Sequence, residues 1–189
     1  MTSPLHKLRY ALPLLAAVCL QPALAQKVKL STSMGDIVVE LEREKAPRSV
    51  DNFLQYVRSG HYNGTIFHRV IDGFMIQGGG FKADMAERPT QAPIPLESRN
   101  GLSNVRGTLA MARTSVPDSA TAQFFINLGD NVFLDQANSR DGHGYAVFGR
   151  VIQGMEVVDQ IRRIATTSKG PHQNVPSTPV TLKTATLEK

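Results

Sequence analysis

Two short segments of the chain place a large apolar side chain and a glutamine on the same face of an extended strand. In Gln123-Phe124-Phe125-Ile126, alternation sends Phe124 and Ile126 one way and Gln123 and Phe125 the other. In Phe74-Met75-Ile76-Gln77, Met75 and Gln77 share a face in the same manner. A pure core would not choose glutamine twice, because an unpaired buried amide costs about 1–3 kcal/mol. A groove that receives an apolar group beside a peptide backbone has use for both. Seven of the eight phenylalanines fall within Phe67–Phe81 and Phe124–Phe148, so the aromatic side chains gather around these two faces. Core packing is the competing reading for any one of them.

Other chemistries find no carrier in the sequence. There is no Gly-x-Ser-x-Gly elbow, Walker loop, His-Glu-x-x-His pair or dinucleotide fingerprint. Gly78-Gly79-Gly80 lacks the Lys-Ser/Thr and the helix start that a phosphate cradle needs, so it is read as a bend or a close backbone contact. His61, His68, His143 and His172 do not have metal-ligand spacing, and no cofactor or metal is expected. Serines and threonines are plentiful but lack a base partner for covalent catalysis.

The elements that must position these faces are mostly strands. Val28, Leu30 and Thr32 alternate, as do Ile37, Val39 and Leu41, predicting a β-hairpin turning at Gly35. Pro47 suits the first turn of a helix whose apolar face is Val50, Phe53, Leu54 and Val57, and Gly60 can end it. Asn63-Gly64 marks a tight turn, a better reading than the formal glycosylation sequon Asn63-Gly64-Thr65. Strands are predicted over 65–70, 74–77, 108–112, 123–127 and 145–151. A second helix is predicted over 155–164, and a last strand alternates through Val180, Leu182, Thr184 and Thr186. Many strands, two helices and no β-α-β alternation predict a closed or nearly closed antiparallel sheet capped by helices.

The whole chain has 189 residues, a net charge of +5 and one cysteine. Residues 1–25 read as a secretory signal peptide: Lys7 and Arg9 precede an apolar run, and Ala23-Leu24-Ala25 supplies the small residues of a cleavage site. The apolar run is too short for a membrane anchor, which needs ~20 residues, and Val18 argues against lipid attachment at Cys19. Cleavage after Ala25 removes two cations, no acid and Cys19, which leaves 164 residues at charge +3 without a thiol. That suits an oxidising compartment. The remaining basic residues are dispersed among acids, so neither nucleic-acid binding nor stable membrane association is expected.

The run from Phe67 to Phe81, FHRVIDGFMIQGGGF, resembles the signature of cyclophilins, the cyclosporin-binding family of peptidyl-prolyl cis-trans isomerases. The likeness extends to Gly107–Ala112, to Ser119–Asn127 (SATAQFFIN), to Phe133-Leu134-Asp135, to Tyr145–Val151 and to the helix opening at Gly154-Met155. It covers essentially all of residues 27–188 and is nearest to the exported, periplasmic members of Gram-negative bacteria. The resemblance implies an eight-stranded antiparallel β-barrel closed by two α-helices, formed by a single domain of residues 26–189. It implies that Arg69 is the catalytic arginine and that Phe74, Met75, Phe125, Phe133 and Leu134 form the pocket for the substrate proline. Gln77 and Gln123 match the amides that hold the peptide backbone or orient the arginine. Ala112 and Arg113 match the strand edge along which the peptide lies, and His68 is read as support for Arg69.

Some positions depart from the family pattern. Phe133 stands where many eukaryotic members carry tryptophan, and Tyr145 stands where they carry histidine. Losing the indole N–H implies weak cyclosporin binding rather than loss of isomerisation. Arg113 occupies a position often filled by asparagine, and the loop from Lys82 to Arg106 lacks a glycine-rich insertion. The expected partners are proline-containing unfolded or flexible polypeptides, met by a monomer in the periplasm, or outside the cell in a single-membrane host. A peptide-binding module with incidental turnover is the alternative; a barrel for a hydrophobic small molecule fits Gln77 and Gln123 less well.

Overall fold

The computed structural model describes residues 26–188; the segment read as a leader, residues 1–25, lies outside them. Along the chain run β1 (Lys27–Thr32), β2 (Gly35–Leu41), α1 (Pro47–Arg58), β3 (Thr65–Ile71), β4 (Met75–Lys82), β5 (Thr108–Met111) and β6 (Phe124–Asn127). A 3-10 turn (Val132–Leu134) follows, then β7 (Val147–Gln153), α2 (Met155–Ile161), β8 (Thr166–Lys169), β9 (His172–Pro176) and β10 (Thr181–Glu188). Eight strands close into an antiparallel barrel in the order β1-β10-β3-β4-β6-β5-β7-β2, as expected, with α1 and α2 packed on it. Among the described residues no helix is long and apolar enough to cross a membrane.

Strand alternation separates two apolar clusters. The larger one includes Val28, Leu30, Ile37, Val39, Phe67, Phe124, Ile126 and Phe148, together with Val50, Phe53, Leu54 and Val57 of α1. Phe53 meets Tyr62, Phe124 and Phe148 at ring separations of 5.1, 5.5 and 5.2 Å, so one helix side chain closes the aromatic centre of the barrel. The smaller cluster holds Met75, Ala110, Phe125, Leu134 and Val147, with Phe74, Ala112 and Tyr145 packed against it. Neighbours in sequence thus go to opposite clusters, as the parity of β4 and β6 predicts.

Four details differ from the sequence reading. The first hairpin turns at Ser33-Met34, and Gly35 already opens β2 at φ +135°, where a Cβ would sit 2.8 Å from Val157. The second helix ends at Ile161, three residues early. Alternation in β10 fails: a bulge pairs Ser31 with Thr184 but Thr32 with Leu182, so Ala185 is buried while Thr184 and Thr186 are exposed. The small β8–β9 hairpin was not read from the sequence at all, since its residues are polar and carry little burial pattern.

One side chain substitutes for a missing helix cap. Ala46 has no side chain to cap α1, so the Glu97 carboxylate accepts hydrogen bonds from the Arg48 and Ser49 amides at 3.0 and 2.8 Å. This ties the long 83–107 connection to the start of α1.

Candidate functional site

The site is built on the outer face of β3, β4 and β6, and a bulge creates it. Regular alternation would put Arg69 on the side of Phe67, in the core. Instead Phe67 pairs with Gly78 and Arg69 with Gln77, so β3 spends two steps where β4 spends one. His68 is the extra residue. The shift leaves Phe67 and Val70 in the core cluster and brings Arg69 out beside Gln77.

Three polar side chains then form a relay. Arg69 Nη1 donates to Gln77 Oε1 at 3.4 Å, and Gln77 Nε2 donates to Gln123 Oε1 at 2.9 Å. A guanidinium carries donors only, so it fixes the orientation of the Gln77 amide, and that amide in turn fixes Gln123 with its own N–H donors left to spare. Gly80 makes room for the arrangement, because a Cβ there would lie 2.7 Å from the Gln123 side chain. Gly79 adopts φ +88° and backs onto Tyr62. The triple glycine is therefore strand β4 passing close to two side chains, in keeping with the close-contact reading.

Beside the relay opens a cleft of about 210 Å³, lined by Arg69, Phe74, Met75, Gln77, Ala112, Arg113, Phe125, Leu134 and Tyr145. Drug-sized ligands occupy ~300–1,000 Å³, so this cleft suits one small ring with the rest of its molecule outside. Gln123 faces an adjoining groove that shares Arg69, Gln77 and Arg113 with the cleft. Phe133 does not line the cleft: it is 55% exposed at the rim, stacked on Phe74 at 5.8 Å. Its neighbour Leu134 turns inward from the same 3-10 turn, which cannot bury two successive side chains. Ala112 follows the end of β5, and its N–H donates to the Gln123 carbonyl at 3.0 Å.

The Arg113 side chain is committed inside the protein, while the peptide contact expected at this strand edge is largely a main-chain one. The side chain is 1% exposed and its donors are taken up internally. Nε donates to the Gly144 carbonyl at 2.9 Å, Nη1 to the Thr114 carbonyl at 2.9 Å, and Nη2 to the Asp141 carboxylate. The guanidinium lies 4.6 Å from the centre of the Tyr145 ring, whose edge meets Phe125 at 5.7 Å. Arg113 therefore braces one wall of the cleft by an ion pair, buried on the arginine side and open to solvent at Asp141, and by a cation–π contact. That guanidinium, with the His143 and Gly144 amides, holds the Asp141 carboxyl well below the usual carboxylate range. Asp141 carried no sequence signal, because it lies 28 residues from its partner in a surface loop.

A second set of residues escaped the sequence reading. Asn131 donates through Nδ2 to the Phe74 carbonyl and to Asn127 Oδ1, both at 2.8 Å. Asn127 Nδ2 bonds Asn104 and Thr108, and Asp135 accepts from the Asn104 amide at 2.7 Å. These side chains lock the 3-10 turn that carries Phe133 and Leu134 onto the turn that carries Phe74 and the strand that carries Phe125. Only the frequency of asparagine in these stretches could have pointed to them.

His68 is buried, with its ring 4.6 Å from that of Phe81. Burial, helped by His172 and Arg69 nearby, pulls its pKa down to about 4. His61, buried against Tyr56 with Nε2 3.0 Å from the Gly79 carbonyl, is also lowered by burial. His68 is then neutral throughout the physiological range and packs on Phe81. The unfolded chain takes up a proton near pH 6.5 that native His68 refuses until about 4, so stability falls as pH drops through that window. We expect a loss on the order of 3 kcal/mol at its lower end, read by urea unfolding at stepped pH. Turnover of the protein while still folded should stay flat from pH 8 to 5.5. An activity midpoint near pH 6.5 in folded protein would give a histidine proton a part in the reaction.

Comparison with known proteins follows the same lines. The family model described as cyclophilin type peptidyl-prolyl cis-trans isomerase/CLD matches residues 27–187. The chain is 57% identical over 162 residues to peptidyl-prolyl cis-trans isomerase A of Dickeya dadantii, covering 86% of this chain and 84% of that one. It is 54% identical over 163 residues to peptidyl-prolyl cis-trans isomerase B of Escherichia coli, covering 86% and 99%. Among solved structures, a cyclophilin type isomerase of Cryptosporidium parvum in the presence of the dipeptide Ala-Pro superposes with a TM-score of 0.72 at 27% identity, covering 87% of this chain and 99% of that one.

Proposed function

Since the chain belongs to the cyclophilin-type peptidyl-prolyl cis-trans isomerases and is an enzyme of X–Pro bond rotation, we propose that Arg69 carries the catalysis and the cleft beside it holds the proline ring. The observation that supports this is the bulged strand that sets Arg69, which has no acidic partner among the described residues, beside a ring-sized cleft walled by Phe74, Met75, Phe125 and Leu134.

Amide resonance gives the X–Pro bond its double-bond character and a barrier of about 18–20 kcal/mol. When the bond twists, the prolyl nitrogen regains a lone pair that barely exists in the planar ground state. A guanidinium N–H aimed at that nitrogen stabilises the twisted form and leaves the planar form nearly untouched, which is what lowers a barrier. Met75, Phe125 and Leu134 grip the ring by apolar contact, so the proline stays while the preceding carbonyl swings. Gln77 keeps the guanidinium in place, and the free donors of Gln123 take a peptide carbonyl. The reaction moves no proton and makes no covalent bond, so the site requires no nucleophile. The test is the rate of cis-to-trans conversion of a proline tetrapeptide by wild type and Arg69→Ala. Loss of turnover with aggregation suppression kept would move the biological weight to peptide binding.

The reading extends to place. We propose that residues 1–25 are a leader cleaved after Ala25 and that residues 26–189 act on exported chains in the periplasm. The leader's charge, apolar run and small-residue site support this, as does the absence of cysteine beyond Cys19. Expressed in a Gram-negative host, the protein should be recovered from the periplasmic extract as a monomer beginning at Gln26. An intact Met1 in the cytosolic fraction would refute the export reading. Cyclosporin should inhibit only weakly in the same rotamase assay, because Phe133 offers no N–H donor.

A further inference from the structure

Beyond Arg69, away from the proline cleft, lies a larger groove of about 520 Å³. It shares Arg69, Gln77 and Arg113 with the cleft, so a peptide whose proline sits in the cleft continues into the groove within two or three residues at ~3.3 Å each. Its outer wall is the β8–β9 hairpin, which belongs to neither the barrel nor the helices, and whose β9 lies against β3. At the hairpin tip His172 meets Phe81 edge-on at 5.0 Å, and Phe81 packs in turn on His68. Asn174 holds the left-handed conformation at φ +58° beside it.

The charge of this groove is one-sided. Among the described residues lining it there is no aspartate or glutamate, while there are two arginines and two histidines. Arg113 is neutralised by Asp141, and His68 is neutral. That leaves the Arg69 guanidinium, whose polar partner is the Gln77 amide, and the half-buried His172 imidazole. Gln123, Gln173 and Asn174 add amide donors. Asp84 and Lys169 border a separate hollow that also reaches His172. Donors and cations facing a groove without a carboxylate suit an anionic side chain.

We propose that this groove is a subsite for an acidic side chain two or three residues from the target proline, with His172 as its specificity-determining residue. His172 and the amides take the carboxylate, so that Arg69 stays directed at the prolyl nitrogen. The carboxylate is bound equally in the planar and twisted states, so the gain appears in KM and not in kcat.

The proposal rests on the isomerase reading, and the wild-type rate on an uncharged peptide checks that reading separately. The experiment compares short proline peptides carrying Glu, Gln or Lys at the second or third residue on either side of proline. At one of these positions Glu should exceed Gln in kcat/KM by about fivefold to tenfold, through KM, and the ratio should shrink at high salt. His172→Ala should bring the ratio below about twofold, and His172→Glu should turn the preference to Lys, a reversal that a merely structural role would not produce. Equal constants for Glu and Gln peptides at every position overturn the proposal. So does a lower kcat with Glu, which would mean that the carboxylate captures Arg69 instead.

Discussion

Arg69→Ala should lower kcat/KM on a proline tetrapeptide by about 10²- to 10³-fold, the range seen when one donor aimed at a developing charge is removed from an active site. The loss should fall on kcat, because the planar ground state gives the guanidinium little to bind, and peptide affinity should change far less. Arg69→Lys should recover only part of the rate. A lysine keeps the charge but lacks the planar fork that bonds Gln77 and the prolyl nitrogen together. The melting temperature should hardly move, since Arg69 is half-exposed and forms no ion pair that the fold depends on. Equal turnover by wild type and Arg69→Ala would remove the arginine from the mechanism.

The second large effect concerns two adjacent phenylalanines. Phe124 is fully buried and touches Phe53, Tyr62 and Phe67 edge-on at 5.5, 5.5 and 6.2 Å. Phe124→Ala should cost about 3–5 kcal/mol, which lowers the melting temperature by roughly 6–20 °C in a domain of this size. Natural domains hold about 5–15 kcal/mol, so a folded fraction should persist at 25 °C and isomerise at nearly the wild-type rate. Phe125→Ala should behave in the opposite way. Its ring belongs to the outer cluster that forms the cleft, and removing about 2–3 kcal/mol of apolar contact with the proline should lower kcat/KM roughly 30- to 160-fold through KM. Calorimetry and rotamase kinetics on both variants check the pair. Activity that simply tracked melting temperature in both would show that the two faces are not distinct.

The same two residues mark how far alternation can be read. Wherever a strand runs regularly, a period of two assigns faces, and so Met75, Gln77, Gln123 and Phe125 could be placed together before any fold was known. The Asn63-Gly64 turn, the proline-led first helix and the many short strands likewise carry the architecture in local pattern. Bulges defeat that reading. In β10 an extra residue sends Ala185 inward in place of Thr184, and in β3 His68 brings Arg69 out of the core; neither leaves a signature in residue type, because a bulge is settled by pairing with another strand.

Residue types in order thus sufficed for the fold class, for the family and for the two faces that make a peptide groove, since these depend on local alternation and on contiguous motifs. Tertiary structure alone decided how each of two arginines is held. Arg69 and Arg113 both line the cleft, yet one is brought out beside it by a bulge and restrained by an amide, while the other is spent on Asp141 and Tyr145. The difference lies in partners, Gln77 eight residues from Arg69 and Asp141 twenty-eight from Arg113, whose approach depends on how the strands and loops pair as the barrel closes.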